Sequence, residues 1–213
     1  PVIVVLIGGS AITMPWLDRA GAVIDAWYPG EAGGDAVADV LFGAVNPAGR
    51  LPVTFYRSVD QLPPFADYDM KGRTYRYFHG DPLYPFGHGL SYTRFEYSDL
   101  RVDRPRVGAR ETATVSVRVK NVGARAGDEV VQLYARSLAT KVPEVNKDLR
   151  GFARVPLAPG EQRVVTFELT PATALTHYDA GAKGLAVAPG DYEIQVGASS
   201  HDIRLTARLH VRP

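Results

Sequence analysis

Three stretches of this sequence hold side chains whose types and spacing could do chemistry. The first is VVLIGGSAI at residues 4–12, with glycines and a serine directly after an apolar run. A dinucleotide site would need G-x-G-x-x-G at such a strand-to-helix turn, but Gly8 and Gly9 are adjacent and that spacing is absent. A nucleophile elbow, G-x-S-x-G, would need glycine where Ile12 stands. Ser10 is therefore read as part of a strand-end turn. The second stretch, WYPGEAGGDAVADVLFG at residues 27–43, puts Glu31 and Asp35 at the start of a helix. Acids there oppose the helix dipole and can serve as helix-start residues. The carboxyl edge of an open α/β sheet is also where ligands bind, so contact with a substrate stays open for Glu31.

The third stretch is DYDMKGRTYRYFHG at residues 67–80. It interleaves Asp67, Asp69 and Arg73 with Tyr75 and its neighbours. Sugars present hydroxyls at their edges and C–H patches on their faces, so planar charged groups beside aromatic rings suit them. An extended segment that covers a sheet reads the same way, and both readings stand. His79, Asp81 and His88 lie in loop without i, i+4 spacing, which argues against a metal site. No cofactor motif is present, and none is expected.

The elements that must position these residues fall into two texts. Residues 1–95 read as α/β. Val2–Ile7 is a β-branched run suited to a strand buried on both faces. A short helix is expected around MPWLDRA, a second buried strand over Ala22–Tyr28, and a helix from Gly33 to Phe42 ended by Gly43. The turn NPAG and a short strand RLPVTFY follow. Strand, helix, strand, helix predicts a parallel sheet. Residues 57–90 form a long loop whose aromatics, including Phe65 and Tyr68, argue for packing over disorder. Residues 96–213 are all-β. In TATVSVRVKN, Val115, Val117 and Val119 share a face, and APGE and APGD mark turns between later strands. About seven strands are expected, forming a β-sandwich of the immunoglobulin or fibronectin type III kind. PLYPFGHGLSYTRFEYSDL (residues 82–100) reads as the joint between the two parts, with Tyr84, Phe86, Tyr92 and Phe95 packing across it.

Composition narrows the partners. The formal net charge is +1, with Lys and Arg scattered, which argues against nucleic acid or an anionic membrane as the main partner. No apolar run reaches the ~18 residues of a membrane span. There is no cysteine, so disulfides and thiolate metal sites are excluded. The chain opens at Pro1 on the apolar run PVIVVLI, and a strand that apolar needs neighbours. The expectation is that it starts inside a larger domain. Residues 1–95 alone would expose strand edges and tend to aggregate or dimerise, which leaves an oligomer open.

Four ordered motifs carry a resemblance: GEAGGDAVADVLFGAVNPAGRLPVTF, YPFGHGLSYTRFEYSDL, VKNVGARAGDEVVQLY and KDLRGFARVPLAPGE. Together they resemble the C-terminal part of glycoside hydrolase family 3, the β-glucosidase and β-xylosidase family. SVDQLPPFADYDMKGRTYRYF is more similar to the β-xylosidase and arabinofuranosidase branch. The resemblance implies a barrel with the nucleophile Asp, an α/β sandwich domain with the acid/base, and a closing fibronectin type III-like domain. This chain would supply the end of the second and all of the third, so no catalytic residue is carried over. It implies a retaining exo-acting parent, acting on β-xylosyl or β-glucosyl residues of an oligo- or polysaccharide. Such hydrolysis needs two carboxyl groups about 5 Å apart, and the chain's acids form no evident pair. The upstream barrel and sandwich domains become the expected partners. A secreted or periplasmic parent is slightly favoured. Glu31, Asp67, Asp69, Arg73 and Tyr75 are the candidate substrate contacts. The rival expectation is a non-catalytic module that binds polysaccharide or protein through its β-sandwich; a remnant without function is the third.

Overall fold

The computed structural model describes residues 1–138 and 145–213. Its first part is a small parallel unit. Strand β1 (Ile3–Leu6) pairs in parallel with β2 (Ala22–Asp25), Ile3 facing Ala22 and Leu6 facing Asp25. The expected helix at MPWLDRA is only a 3-10 turn, Leu17–Arg19. Pro15 leaves too few residues for an α-helical nucleus before Gly21. β2 stops at Asp25, short of Tyr28, because Trp27 takes a left-handed φ of 51°. Helix α1 (Gly33–Leu41) follows and ends where Gly43, at φ 76°, donates its N–H to the Val40 carbonyl. β1 is not buried on both faces within the described residues: Ile3 is 49 % and Val5 36 % exposed.

RLPVTFY forms no strand. Phe55 makes one antiparallel bridge to Tyr84 and is itself 1 % exposed. The long loop then carries a 3-10 turn, Val59–Gln61, and a single helical turn, α2 (Thr74–Tyr77).

The second part is a two-sheet sandwich. In chain order its strands are β3 (Phe95–Val102), β4 (Arg106–Val107), β5 (Ala113–Asn121), β6 (Gly127–Ser137), β7 (Asp148–Leu157) and β8 (Gln162–Leu169). A helical turn, α3 (Pro171–Ala174), leads to β9 (Thr176–Asp179), β10 (Gly184–Val187), β11 (Gly190–Gly197) and β12 (Ile203–Val211). One sheet runs β4-β12-β11-β6-β7 and the other β3-β5-β8. Period-two alternation fills the space between them: Val115, Val117 and Val119 of β5 meet Val131 and Leu133 of β6 and Ile194 and Val196 of β11, all fully buried. The strand count exceeds seven because β9 and β10 form their own antiparallel hairpin and β4 adds a two-residue parallel edge. THYDAGAKGLAV is short and polar, so its hairpin lacks the alternation that marks a core strand.

The joint is dense. Phe86 accepts from the Ser200 N–H at 2.9 Å, and Gln132 Nε2 donates to the carbonyls of Gly87 and Ala198 at 3.1 and 2.7 Å. Gly87 sits at φ 82°, and a Cβ there would lie 2.1 Å from Gln132 Oε1, so only glycine fits. Asn46 bridges the parts, accepting from Ser91 and Tyr92 and donating to Ala126. Tyr92 donates from its hydroxyl to the Val40 carbonyl at 2.7 Å, while Arg125 donates to Gly43 and lies over the Tyr92 ring. Arg50 reaches Glu129 Oε1 at 3.2 Å, the same oxygen that accepts from Tyr97 at 3.1 Å. His88 stacks on Tyr84, and burial, with Arg50 beside it, holds it below the usual imidazole range.

Candidate functional site

The loop after Tyr56 is closed at its neck. Arg57 donates to Asp81 Oδ2 at 2.6 Å, and Gln61 ties the Arg57 N–H to the Asp81 carbonyl. Between these anchors, Asp67 Oδ1 accepts from the Asp69 N–H at 2.9 Å, a local turn that suits aspartate. Arg73 then folds back over the turn. Its guanidinium donates to the carbonyls of Pro64, Asp67 and Asp69 at 3.3, 2.6 and 3.1 Å. The loop therefore supplies its own hydrogen-bond framework.

This framework explains a departure from expectation. Phe65 and Tyr68 do not pack; they are 98 % and 90 % exposed. With three carbonyls drawn in toward Arg73, the rings at the crest of the turn project into solvent. The loop's other aromatics do pack. Tyr75 stacks on Phe86 with centroids 4.3 Å apart and meets Tyr134 edge-on, and its hydroxyl accepts from the Leu149 N–H at 3.1 Å. Burial raises its phenol above the usual tyrosine range, and the bond from Leu149 opposes that. Asn146 fastens the same turn to the sandwich, its amide donating to the Tyr75 and Phe78 carbonyls and its backbone N–H to that of Arg76. Arg76 pairs with Asp148, which also holds Arg150.

The structure brings Asp67, Asp69, Arg73 and Tyr75 onto one loop. Asp67 and Asp69 are exposed; Arg73 and Tyr75 are half-buried and engaged with backbone. Glu31 stands apart, exposed at the start of α1, and makes no ion pair among the described residues. Asp81 is committed to Arg57 and His88 to Tyr84, so these two do not converge with His79. Among the described residues no group of three side chains could hold a metal ion. Two surface cavities among the described residues hold one lining carboxylate between them: Glu96 in a cavity of about 290 Å³, none in one of about 310 Å³. Neither presents the pair of carboxyls that retaining hydrolysis requires. The exposed rings of Phe65 and Tyr68 are the feature that residue type alone did not reveal. A turn of Pro64, Asp67 and Gly72 around a lone Arg73 was the available signal.

Fold and joint define the class: a partial parallel α/β sandwich domain carrying a fibronectin type III-like β-sandwich. Residues 1–92 match the glycosyl hydrolase family 3 C-terminal domain, and residues 129–200 match a fibronectin type III-like domain. The chain belongs to glycoside hydrolase family 3 and corresponds to its C-terminal region. It is 41 % identical to the thermostable beta-glucosidase B of Acetivibrio thermocellus over 99 % of this chain and 29 % of that protein. It is 46 % identical to the xylan 1,4-beta-xylosidase of Xylanibacter ruminicola over 94 % of this chain and 23 % of that one. The solved beta-glucosidase 3B of Thermotoga neapolitana, in complex with glucose, superposes with a TM-score of 0.90 at 36 % identity, covering all of this chain and 31 % of that one. The chain thus spans a quarter to a third of the length of these relatives.

Proposed function

We propose that this chain is the supporting C-terminal portion of a retaining exo-acting β-glycosidase that removes terminal β-glucosyl or β-xylosyl residues. The observation that carries this reading is near-complete coverage of the chain by β-glucosidases and a β-xylosidase at 41 and 46 % identity. In this reading, residues 1–95 complete an α/β domain, and the exposed apolar side of β1, with Ile3 and Val5, packs against the remainder of that layer. Residues 96–213 brace it through the joint. The loop at residues 60–80 forms part of the cleft wall: Asp67 and Asp69 contact substrate, Arg73 and Tyr75 contact it or fix the loop that does, and Glu31 reaches it from the start of α1.

Neither cavity described above presents paired carboxyls, so the purified 213-residue protein is expected to show no turnover of p-nitrophenyl β-xyloside or β-glucoside. Robust hydrolysis would overturn the supporting role. Affinity electrophoresis on xylan and β-glucan tests the rival binding module, which requires retention by residues 98–213 alone.

A further inference from the structure

The cavity of about 310 Å³ lies where the long loop meets the sandwich. Its wall is assembled from five separate places in the chain. Arg136 comes from the end of β6, Lys147 from the residues before β7, Gln195 from β11, and Ser200 and His201 from the β11–β12 turn, while His79 closes the loop side. Two basic side chains and two imidazoles line it, with no carboxylate among the lining residues.

Nearby acids offset this set only in part. Glu193, across the sheet from Arg136, accepts a hydrogen bond from the Gln195 amide. Asp81 is held by Arg57. Arg136 is exposed and makes no side-chain hydrogen bond or ion pair among the described residues. Lys147 Nζ donates to the Ser200 carbonyl at 2.8 Å and lies over the Tyr134 ring, which fixes the ammonium and leaves it further N–H donors. Burial pulls that ammonium below the usual lysine range, with Glu193 opposing the shift and Arg136 adding to it.

A second observation is independent of charge. The Ser200 hydroxyl oxygen and Gln195 Oε1 are buried with no hydrogen-bond partner. Ser200 is 1 % and Gln195 7 % exposed, and both line the cavity. Buried polar groups are nearly always satisfied: the Ser200 hydroxyl can donate to an oxyanion, while Gln195 Oε1, an acceptor, calls for an O–H on the same occupant, as phosphate and glucuronate both carry.

We propose that this cavity binds a small oxyanion, a phosphate or a carboxylate, held between Arg136 and Lys147 with the Ser200 hydroxyl as a further donor. Guanidinium and ammonium groups favour such anions through charge-assisted hydrogen bonds. Neither sheet nor joint requires Arg136 in this position. The proposal does not depend on the β-glycosidase reading.

The test is calorimetric titration of the full chain in low-salt buffer with inorganic phosphate, with glucuronate, and with glucose as the neutral control. Saturable binding of phosphate, glucuronate or both is expected, with none for glucose. Which anion binds identifies the source of the oxyanion. Arg136→Ala should weaken binding about tenfold while leaving the melting temperature unchanged. Ser200→Ala should weaken it about threefold without loss of fold. No saturable heat from either anion up to ~20 mM would overturn the proposal, that limit being far above the affinity of a built site. Binding that is undiminished in both variants would overturn it equally.

Discussion

Replacing Arg50 with alanine strands a carboxylate. Arg50 and Glu129 have side chains only 9 and 5 % exposed, and they meet at 3.2 Å across the joint. At that separation two unit charges attract by about 5 kcal/mol at an effective dielectric of about 20. Desolvation offsets much of this attraction, but removing one partner of a buried pair leaves the other uncompensated and costs about 3–5 kcal/mol. Tyr97 and the Val130 N–H remain on Glu129 Oε1 and keep the loss toward the lower end. For a chain of this size, about 3 kcal/mol lowers the melting temperature by about 6–12 °C. The assay is a double-mutant cycle over Arg50→Ala, Glu129→Gln and the double variant, followed by circular dichroism and tryptophan fluorescence. Both tryptophans, Trp16 and Trp27, lie in the α/β part, so fluorescence reports that part and the β-signal reports the sandwich. Arg50→Ala should melt early with its two transitions drawn apart. The double variant should recover part of the loss, because no buried charge remains unpaired. A single variant melting within about 2 °C of the parent, or a coupling energy below about 0.5 kcal/mol, would refute the reasoning.

Three further outcomes are expected. Arg73→Ala removes donors from three loop carbonyls and should speed trypsin cleavage at Lys71 about tenfold, with less than about 1 kcal/mol lost globally. Gly87→Ala should cost roughly 2–4 kcal/mol, from the left-handed φ and the collision with Gln132, measured by urea denaturation. Tyr75, Tyr97, Tyr134 and Tyr192 are all shifted upward by burial, so the unfolded chain releases these protons first. Their contribution is intact below the unfolded value of about 10 and is lost as pH rises above it. Stability should therefore fall from about pH 10, with these four phenols ionising only as the protein unfolds, read at 295 nm.

Strong periodicity made the sandwich legible. The alternation of Val115, Val117 and Val119 admits one reading, and the turns at APGE and APGD punctuate it. β9 and β10 lack that alternation because their hairpin lies outside the core. The α/β part was legible in order but not in length. An apolar run marks β1, while the conformation of Trp27, which shortens β2, has no signature in residue type. The candidate loop was legible only as composition. Arg73 and Tyr75 carry the types expected of sugar contacts, yet the structure uses one on carbonyls and the other in an aromatic stack. Which of two neighbouring rings packs and which projects depends on where Arg73 draws the backbone, and that is a three-dimensional fact.

The contact between Phe86 and the Ser200 N–H has a consequence for the timing of synthesis. Its two halves are separated by more than a hundred residues, and Gln132 likewise waits for Ala198. At translation rates of about 5–20 residues per second, the α/β part leaves the ribosome some ten seconds before its last sandwich contacts exist. During that interval the Phe86 carbonyl lacks the Ser200 N–H, and Gln132 lacks the Ala198 carbonyl. The nascent chain is therefore most exposed to chaperones and proteases between the emergence of Leu90 and that of Ser200, and a pause in translation within that window would lengthen the hazard.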